Sequence, residues 1–493
     1  MEMDFGQLWL TLRMIWDWQM DNIIFINIIL SIVIVFFQRR DPKAVWTWLL
    51  VLYFLPIVGF LFYLLVGQGM HKERMFRVKE AEDSMKASIS NQEAFIKSHS
   101  LELAGPLAKD YTDLVIYNLE TSGSVYTADN SIEIFTDGEE KFSDLIREMK
   151  KATQYIHVQY YIIKNDELFD RIKPVLIERA AAGVKVRILY DGMGGRFMPA
   201  RVWKELRSHG ILVGEFFPPI LGRLHLRINY RNHRKIVVID GKIGYVGGFN
   251  IGREYISLDE KFGYWRDTHL KIRGSAVLGL QLRFALDWNY ATGENLFLDS
   301  RNFIGVDRPM GNCGVQIISS GPDSASRQIR DNYIRLINKA RKNIYIQTPY
   351  FIPDDAVCSA LIIAAKSGID VRLMIPCKPD HPFVYWATYS YMGDLLKAGG
   401  RCFTYENGFI HAKSLTVDGQ VACVGTANMD IRSFELNFEV NAVVYDEATV
   451  QKLQDAFVQD MKKSKEVTIP EYENRKLWIR LKEQCCRLLS PLL

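Results

Sequence analysis

One pattern occurs twice in this chain with identical internal spacing. His233-Arg-Lys235 runs through an apolar stretch to Asp240 and on to Gly247-Gly248-Phe249-Asn250. His411-Ala-Lys413 runs in the same way to Asp418 and on to Gly425-Thr426-Ala427-Asn428. In both copies the lysine lies two residues after the histidine, the aspartate seven and the asparagine seventeen. A single match of this length is weak, because chance supplies it; two in register inside a larger repeat are not accidental. The larger repeat is visible upstream. A helical pattern at Phe142, Leu145, Ile146 and Met149 precedes a strand-like run at 156–163, and Ile329, Tyr333, Leu336 and Ile337 precede another at 344–351. Ala152 precedes Gln159 as Ala340 precedes Gln347. Helices ending at Gly183 and Gly368 lead into runs 184–190 and 369–375, and further helices end at Gly210 and near Gly399. Helices alternating with strands in this way predict an α/β fold with mixed sheets, built from two pseudo-symmetric halves over 131–310 and 311–470.

The spacing carries chemistry. In an extended strand, residues two apart share a face, so each histidine stands beside its lysine. The following apolar run anchors the strand. The chain then turns at Asp240-Gly241 or Asp418-Gly419 and returns to deliver the asparagine. Two halves paired about a two-fold would gather two imidazoles, two ammonium groups and two amides in one pocket. Such a set suits a phosphodiester and its more highly charged transition state. One histidine can attack phosphorus while the other protonates the leaving oxygen. The lysines supply the positive charge, so the chemistry asks for neither a metal nor a cofactor. The candidate catalytic residues are His233, Lys235, Asp240, His411, Lys413 and Asp418, with Asn250 and Asn428 as candidate substrate-binding residues. Among these, Asp240 and Asp418 are expected to hold the lysines and turns more than to touch substrate. A carboxylate should orient each histidine. Asp267, 34 residues after His233, and Glu439, 28 after His411, are the candidates. The remaining histidines, at 71, 99, 157, 209, 225, 269 and 381, lack such companions and read as structural.

The first seventy residues have a different character. Residues 23–37 and 45–66 contain no charge, and about twenty apolar residues cross a bilayer. They predict transmembrane helices at about 22–38 and 45–66, joined as a hairpin by Gln38-Arg39-Arg40-Asp41-Pro42-Lys43, with Trp9, Trp16 and Trp18 as candidate interfacial residues. Basic residues follow both segments, so the charge count does not fix which side the body faces; a cytoplasm-facing body on a multi-pass membrane protein is the expectation. A charged connector follows at 71–130. At the other end, 471–493 predicts a basic amphipathic helix, with Trp478, Leu481, Cys485, Leu488, Leu489 and Leu492 on one face and Lys476, Arg480 and Arg487 on the other. Such a helix suits a membrane surface or the protein's own core. The 61 basic and 57 acidic residues leave a net charge of only +4, which gives no support to nucleic-acid binding. The seven cysteines form no CxxC pair, and their scatter fits reduced thiols.

Taken together, these motifs resemble the phospholipase D superfamily, and within it the bacterial cardiolipin synthase branch. The resemblance includes Arg39-Arg40-Asp41-Pro42, Phe262-Gly263-Tyr264-Trp265-Arg266-Asp267, Ser320-Gly321-Pro322-Asp323, and the run from Asn428 through Asp430, Arg432, Ser433, Phe434 and Glu435 to Asn437. Gly248 departs from it, standing where the superfamily often has serine; Thr426 keeps the hydroxyl in the second copy. The resemblance implies transfer of a phosphatidyl group from one phosphatidylglycerol to another through a phosphohistidine, giving cardiolipin and glycerol. It favours His233 as nucleophile and His411 as general acid and then base. A phospholipase D-type hydrolase or a phosphatidylserine synthase-like transferase would use the same residues. No phosphate-binding GxxxxGK[ST] loop is present, as expected for a near-neutral exchange of phosphodiesters. The stretch 216–231, with Arg223, Arg227 and Arg231 among apolar residues, is a candidate lipid-facing segment. The implied partner is phosphatidylglycerol in an anionic membrane, with oligomeric state left open.

Overall fold

The structure is a computed structural model that describes residues 13–14, 22–23, 25–32, 34–35, 42–66, 106–218, 230–324 and 326–490. Trp9, Trp16 and Trp18, most of the 38–43 turn, the connector to residue 105, residues 219–229 of the candidate lipid-facing segment, and the last three residues lie outside the described residues. The chain divides into a small unit (1–72, 219–229 and 488–493) and a large one (73–218 and 230–487).

The large unit contains two similar sheets. The first half supplies β1 (Thr127–Asp137), β2 (Tyr155–Tyr160), β3 (Lys185–Asp191), β4 (Leu212–Phe216), β5 (Arg231–Asn232), β6 (Ile236–Ile239), β7 (Ile243–Gly247) and β8 (Trp265–Arg273). The second supplies β9 (Cys313–Ser320), β10 (Asn343–Gln347), β11 (Phe351–Ile352), β12 (Asp370–Pro376), β13 (Arg401–Tyr405), β14 (Phe409–Ile410), β15 (Ser414–Val417), β16 (Val421–Gly425), β17 (Met429–Asp430), β18 (Asn437–Tyr445) and β19 (Ser464–Val467). The first sheet runs β4-β3-β2-β6-β7-β8-β1. The second repeats that order as β13-β12-β10-β15-β16-β18-β9, with β19 added outside β13. Parallel pairing on one side and antiparallel on the other makes both sheets mixed, as the repeat predicts. β1 also pairs with β9 and joins the two.

Strand periodicity places the core. Along β6, Ile236 and Val238 face one apolar cluster while Val237 and Ile239 face another. The cluster holding Ile236 and Val238 also holds Val424, Ala442 and Val444 of the second sheet, together with Val277 and Leu280 of helix Val277–Thr292 and Val450 and Leu453 of helix Glu447–Met461. The halves therefore share this apolar cluster. Four of the seven cysteines are buried, and all seven are free.

Both motif aspartates sit at hairpin turns. Asp240 (φ 53) and Gly241 (φ 68) join β6 to β7, and Asp418 (φ 55) and Gly419 (φ 70) join β15 to β16. Two successive left-handed residues make the tight turn that suits strand twist, and Asp-Gly tolerates it. The Asp240 carboxylate accepts the backbone N–H groups of Thr153, Gln154 and Tyr155 at 2.8 to 2.9 Å. Asp418 likewise accepts those of Arg341, Lys342 and Asn343 at 2.7 to 2.9 Å. Each aspartate ties its turn to the start of β2 or β10: of the two roles the sequence suggested, holding the turns and holding the lysines, their carboxylates serve the turns.

The small unit corrects one expectation. The span expected at 45–66 is not one helix: it comprises Pro42–Phe54 and Pro56–Val66, interrupted at Leu55. Pro56 has no N–H to offer Leu52 one turn earlier. The side-chain amide of Asn27, from the first apolar segment, donates to that Leu52 carbonyl at 3.1 Å instead. Among the described residues no helix is long and apolar enough to cross a membrane.

Replacing Asp240 or Asp418 with alanine strands three N–H groups at a strand start and is expected to cost about 1–3 kcal/mol, read as a lower Tm in thermal unfolding. Activity per folded molecule should be unchanged; loss of turnover at undiminished stability would return these aspartates to the catalytic set.

Candidate active site

Two short parallel pairings cross between the halves. β5, which leads into His233, pairs with the start of β18, matching Asn232 to Phe438. β14, which leads into His411, pairs with the start of β8, matching Ile410 to Arg266. His233 N–H donates to the Phe438 carbonyl at 3.0 Å and His411 N–H to that of Arg266 at 2.7 Å. The next residue on each receiving strand is a carboxylate, and it meets the histidine. His233 Nδ1 stands 2.9 and 3.0 Å from the Glu439 oxygens, and His411 Nδ1 stands 2.7 Å from Asp267 Oδ2. The structure thus brings together the expected histidines and carboxylates with the partners exchanged: each histidine takes its carboxylate from the other half. Sequence distance suggested pairing within a half, but the cross-half strand pairing is a tertiary feature.

Both carboxylates are fully buried. Glu439 also accepts the Thr426 hydroxyl at 2.6 Å and the Asn437 amide at 3.2 Å. Asp267 accepts the Thr268 N–H at 2.7 Å. Gly248 occupies the position of Thr426, and a Cβ placed there would collide with the Asp267 carboxylate. The departure at Gly248 therefore makes room for Asp267. Burial alone would raise both carboxyls; charge and hydrogen bonding from His233 at Glu439, and charge from Lys413 and His411 at Asp267, hold them below their ordinary values.

The two lysines complete the cluster. Lys235 Nζ donates to the His233 carbonyl at 2.7 Å, and Lys413 Nζ bonds the His411 carbonyl in the same way. Burial pushes Lys235 down to about 7 and Lys413 down to about 8, against the pull of Glu439 and Asp267. Each lysine feels carboxylates of both halves, so the two motifs form one electrostatic site. Burial lowers His233 while Glu439 opposes the shift. His411 falls to about 4 through burial and the nearby Lys413. The tautomers differ in their constraint. His233 Nδ1 faces the Glu439 carboxylate, an acceptor only, so its proton belongs there and Nε2 carries the lone pair. His411 Nδ1 lies near both Asp267 and Lys413 Nζ, the latter at 2.8 Å, and a ring nitrogen cannot donate to one and accept from the other at once. Tyr161 flanks the His233 ring at 5.1 Å, and Trp265 flanks His411 at 5.2 Å.

A buried polar layer supports the site. Arg234, between His233 and Lys235, pairs with Asp287 at 2.5 and 2.8 Å and donates to the Glu439 carbonyl at 3.1 Å. Asp287 also receives Gln159 at 2.6 Å. In the second half Arg266 pairs with Asp460 at 2.9 Å, which also receives Gln347 at 2.8 Å. Sequence reasoning missed these ion pairs, although Gln159 and Gln347 stand at matching positions of the repeat. Asn250, expected at the substrate, uses its amide within the protein: Oδ1 accepts Ile162 N–H at 3.1 Å and Nδ2 donates to Tyr255 at 3.0 Å. Asn428 donates to Asp430 at 3.3 Å. His157, one of the histidines set aside, is buried and stacked between Tyr155 and Phe284.

Paired motif halves that share one cluster of two histidines and two lysines define a phospholipase D-type protein. A family model described as "Cardiolipin synthase, PLD-like domain" matches residues 145–264 and 333–461, and one described as "Phospholipase_D-nuclease N-terminal" matches 25–68. The major cardiolipin synthase ClsA of Bacillus subtilis is 48% identical over 469 residues, covering 95% of this chain and 97% of its own length. A cardiolipin synthase of Listeria monocytogenes is 48% identical over 472 residues, covering 96% and 98%. The crystal structure of phosphatidylserine synthase from Haemophilus influenzae covers 77% of this chain and all of its own, with a TM-score of 0.58 at 14% identity, a likeness of fold. The chain belongs to the bacterial cardiolipin synthase family of the phospholipase D superfamily.

Glu439→Gln and Asp267→Asn keep the shape of each pair but remove the charge that fixes the imidazole. Each is expected to lower turnover by about 10²–10⁴ with little change in Tm, measured by initial rates and thermal unfolding. Wild-type rates in both would sink the orienting role.

Proposed function

We propose that this chain is a cardiolipin synthase, a phosphatidyltransferase that converts two phosphatidylglycerols to cardiolipin and glycerol. The observation that carries the mechanism is the crossed pair of histidine–carboxylate contacts. Glu439 holds the Nδ1 proton of His233, leaving Nε2 free to attack phosphorus. With the phosphate anion bound, His411 takes up a proton from solvent, its cation favoured by that anion and by Asp267; the bond from phosphorus to the glycerol oxygen breaks as His411 gives that oxygen this proton, and the phosphatidyl group remains on His233. The terminal hydroxyl of a second phosphatidylglycerol then loses its proton to His411 and attacks phosphorus. The phosphorus–nitrogen bond breaks and cardiolipin leaves. Lys235 and Lys413 offset the charge that grows on the phosphoryl oxygens. The uncontested Glu439 contact supports His233 as nucleophile. One phosphodiester replaces another, so no energy-rich donor is required.

The N-terminal region supports membrane residence. Trp46, Tyr53, Phe54 and Val58 are all more than 60% exposed, an arrangement suited to lipid. The N-terminal family match covers the same segment. In this reading 22–66 anchors the enzyme as a hairpin whose second arm is kinked at Pro56, and the body faces the cytoplasm.

Labelled phosphatidylglycerol, with detergent-purified protein and neither metal nor nucleotide added, should yield cardiolipin and glycerol in equal amounts. His233→Ala and His411→Ala should each lose at least about 10²-fold. Phosphatidic acid as the main product would make the protein a hydrolase. No product from folded protein would discard phosphatidylglycerol as donor.

The lysines give a pH signature. Their protonated fraction in the free enzyme falls as pH rises through about 7 to 8, so kcat/KM should decline over that window. A bound phosphate anion favours the charged lysines, so the decline in kcat should lie at higher pH. Profiles flat from pH 6 to roughly 9 would remove the lysines from charge stabilisation.

A further inference from the structure

The tail helix Leu477–Leu489 is docked by the face opposite to its apolar stripe. Glu483 and Cys486 are buried beneath it. Arg475, just before the helix, pairs with Glu483 at 2.8 and 2.6 Å. Arg487 pairs with Asp394 of helix Pro382–Lys397 at 2.6 Å, and Lys482 lies 5.5 Å from the ring of Trp386 on that same helix. These contacts fix the rotation of the helix about its axis. They leave Leu477, Trp478 and Leu481 outward, at 81%, 64% and 50% exposure, with Cys485 also exposed on that side.

A face of this composition would ordinarily turn inward, because hiding it from water is favourable. Its flanks indicate what covers it. Arg480 and Lys482 stand one residue either side of Leu481, roughly 100° around the helix in each direction, and Lys476 is exposed one residue before Leu477. An apolar stripe that carries a tryptophan and is bordered by cations matches an interface with acyl chains below and anionic head groups beside it.

We infer that the stripe Leu477, Trp478, Leu481 and Cys485 is a second membrane contact, which seats the catalytic body on an anionic bilayer independently of the N-terminal segments. The chemistry of the proposed reaction enters only in choosing phosphatidylglycerol as the anionic lipid.

The test uses the full chain in nanodiscs of phosphatidylglycerol and phosphatidylcholine, with Cys485 carrying an environment-sensitive NBD label and Cys485→Ser giving the background from other thiols. Nitroxide-bearing lipid should quench the label and its emission should shift to the blue. Trp478→Asp with Leu481→Asp should abolish the quenching without lowering Tm. Arg480→Glu with Lys482→Glu should weaken it by about tenfold or more, as should exchange to purely zwitterionic lipid. The inactive His411→Ala chain should give the wild-type signal, so failure of the reaction and failure of this contact are separately readable. A label that stays in water in every lipid overturns the proposal. So does protection that appears without lipid and grows with protein concentration, since the occupant would then be a second copy of the chain.

Discussion

The site depends on an exchange of strands between the two halves. β5 and β14 are only two residues long, yet each leads directly into a motif histidine and lies against the strand that carries the other half's carboxylate. Backbone hydrogen bonds set that register, and register decides which side chains meet. A slip of one residue would turn Glu439 and Asp267 away from the imidazoles. Neither half therefore holds a complete histidine–carboxylate pair, and the shared apolar core between the sheets keeps the two in contact.

Burial gives the cluster its reactivity. In water the lysines would be charged at any ordinary pH, and the carboxylates would orient the imidazoles weakly. Here desolvation lowers the lysines and histidines together, while the paired carboxylates stay ionised because the cations face them. An entering phosphodiester meets a site whose cations lack full hydration and regain stability by binding an anion. The Arg234–Asp287 and Arg266–Asp460 pairs hold the strands beneath this cluster. They are costly to desolvate, so their value lies in fixing geometry more than in adding stability.

The halves are alike in sheet order and unlike in detail. Thr426 fastens Glu439, whereas Gly248 clears space for Asp267; His233 meets its carboxylate without competition, whereas His411 shares its neighbourhood with Lys413. Such differences give two histidines at matching positions of the repeat unlike surroundings. The supporting arginines also come from different places, one inside the H-x-K motif and one just before the carboxylate.

The amino-acid sequence determined much of this. The duplicated spacing identified two halves and both histidine–lysine pairs, because strand periodicity puts residues two apart on one face. It also identified Asp267 and Glu439 as the carboxylates, and the aspartates as turn residues, since Asp-Gly after an apolar run favours a tight hairpin. The exchange of carboxylates, the use of Asn250 within the scaffold and the buried arginine pairs were decided only by tertiary structure, because each joins residues far apart in the chain. The break at Pro56 has a local cause that an unbroken apolar run concealed. The tail shows the same division: its amphipathic period is written in the sequence, but which face turns outward was settled by the ion pairs of Arg475 and Arg487, through partners that periodicity does not name.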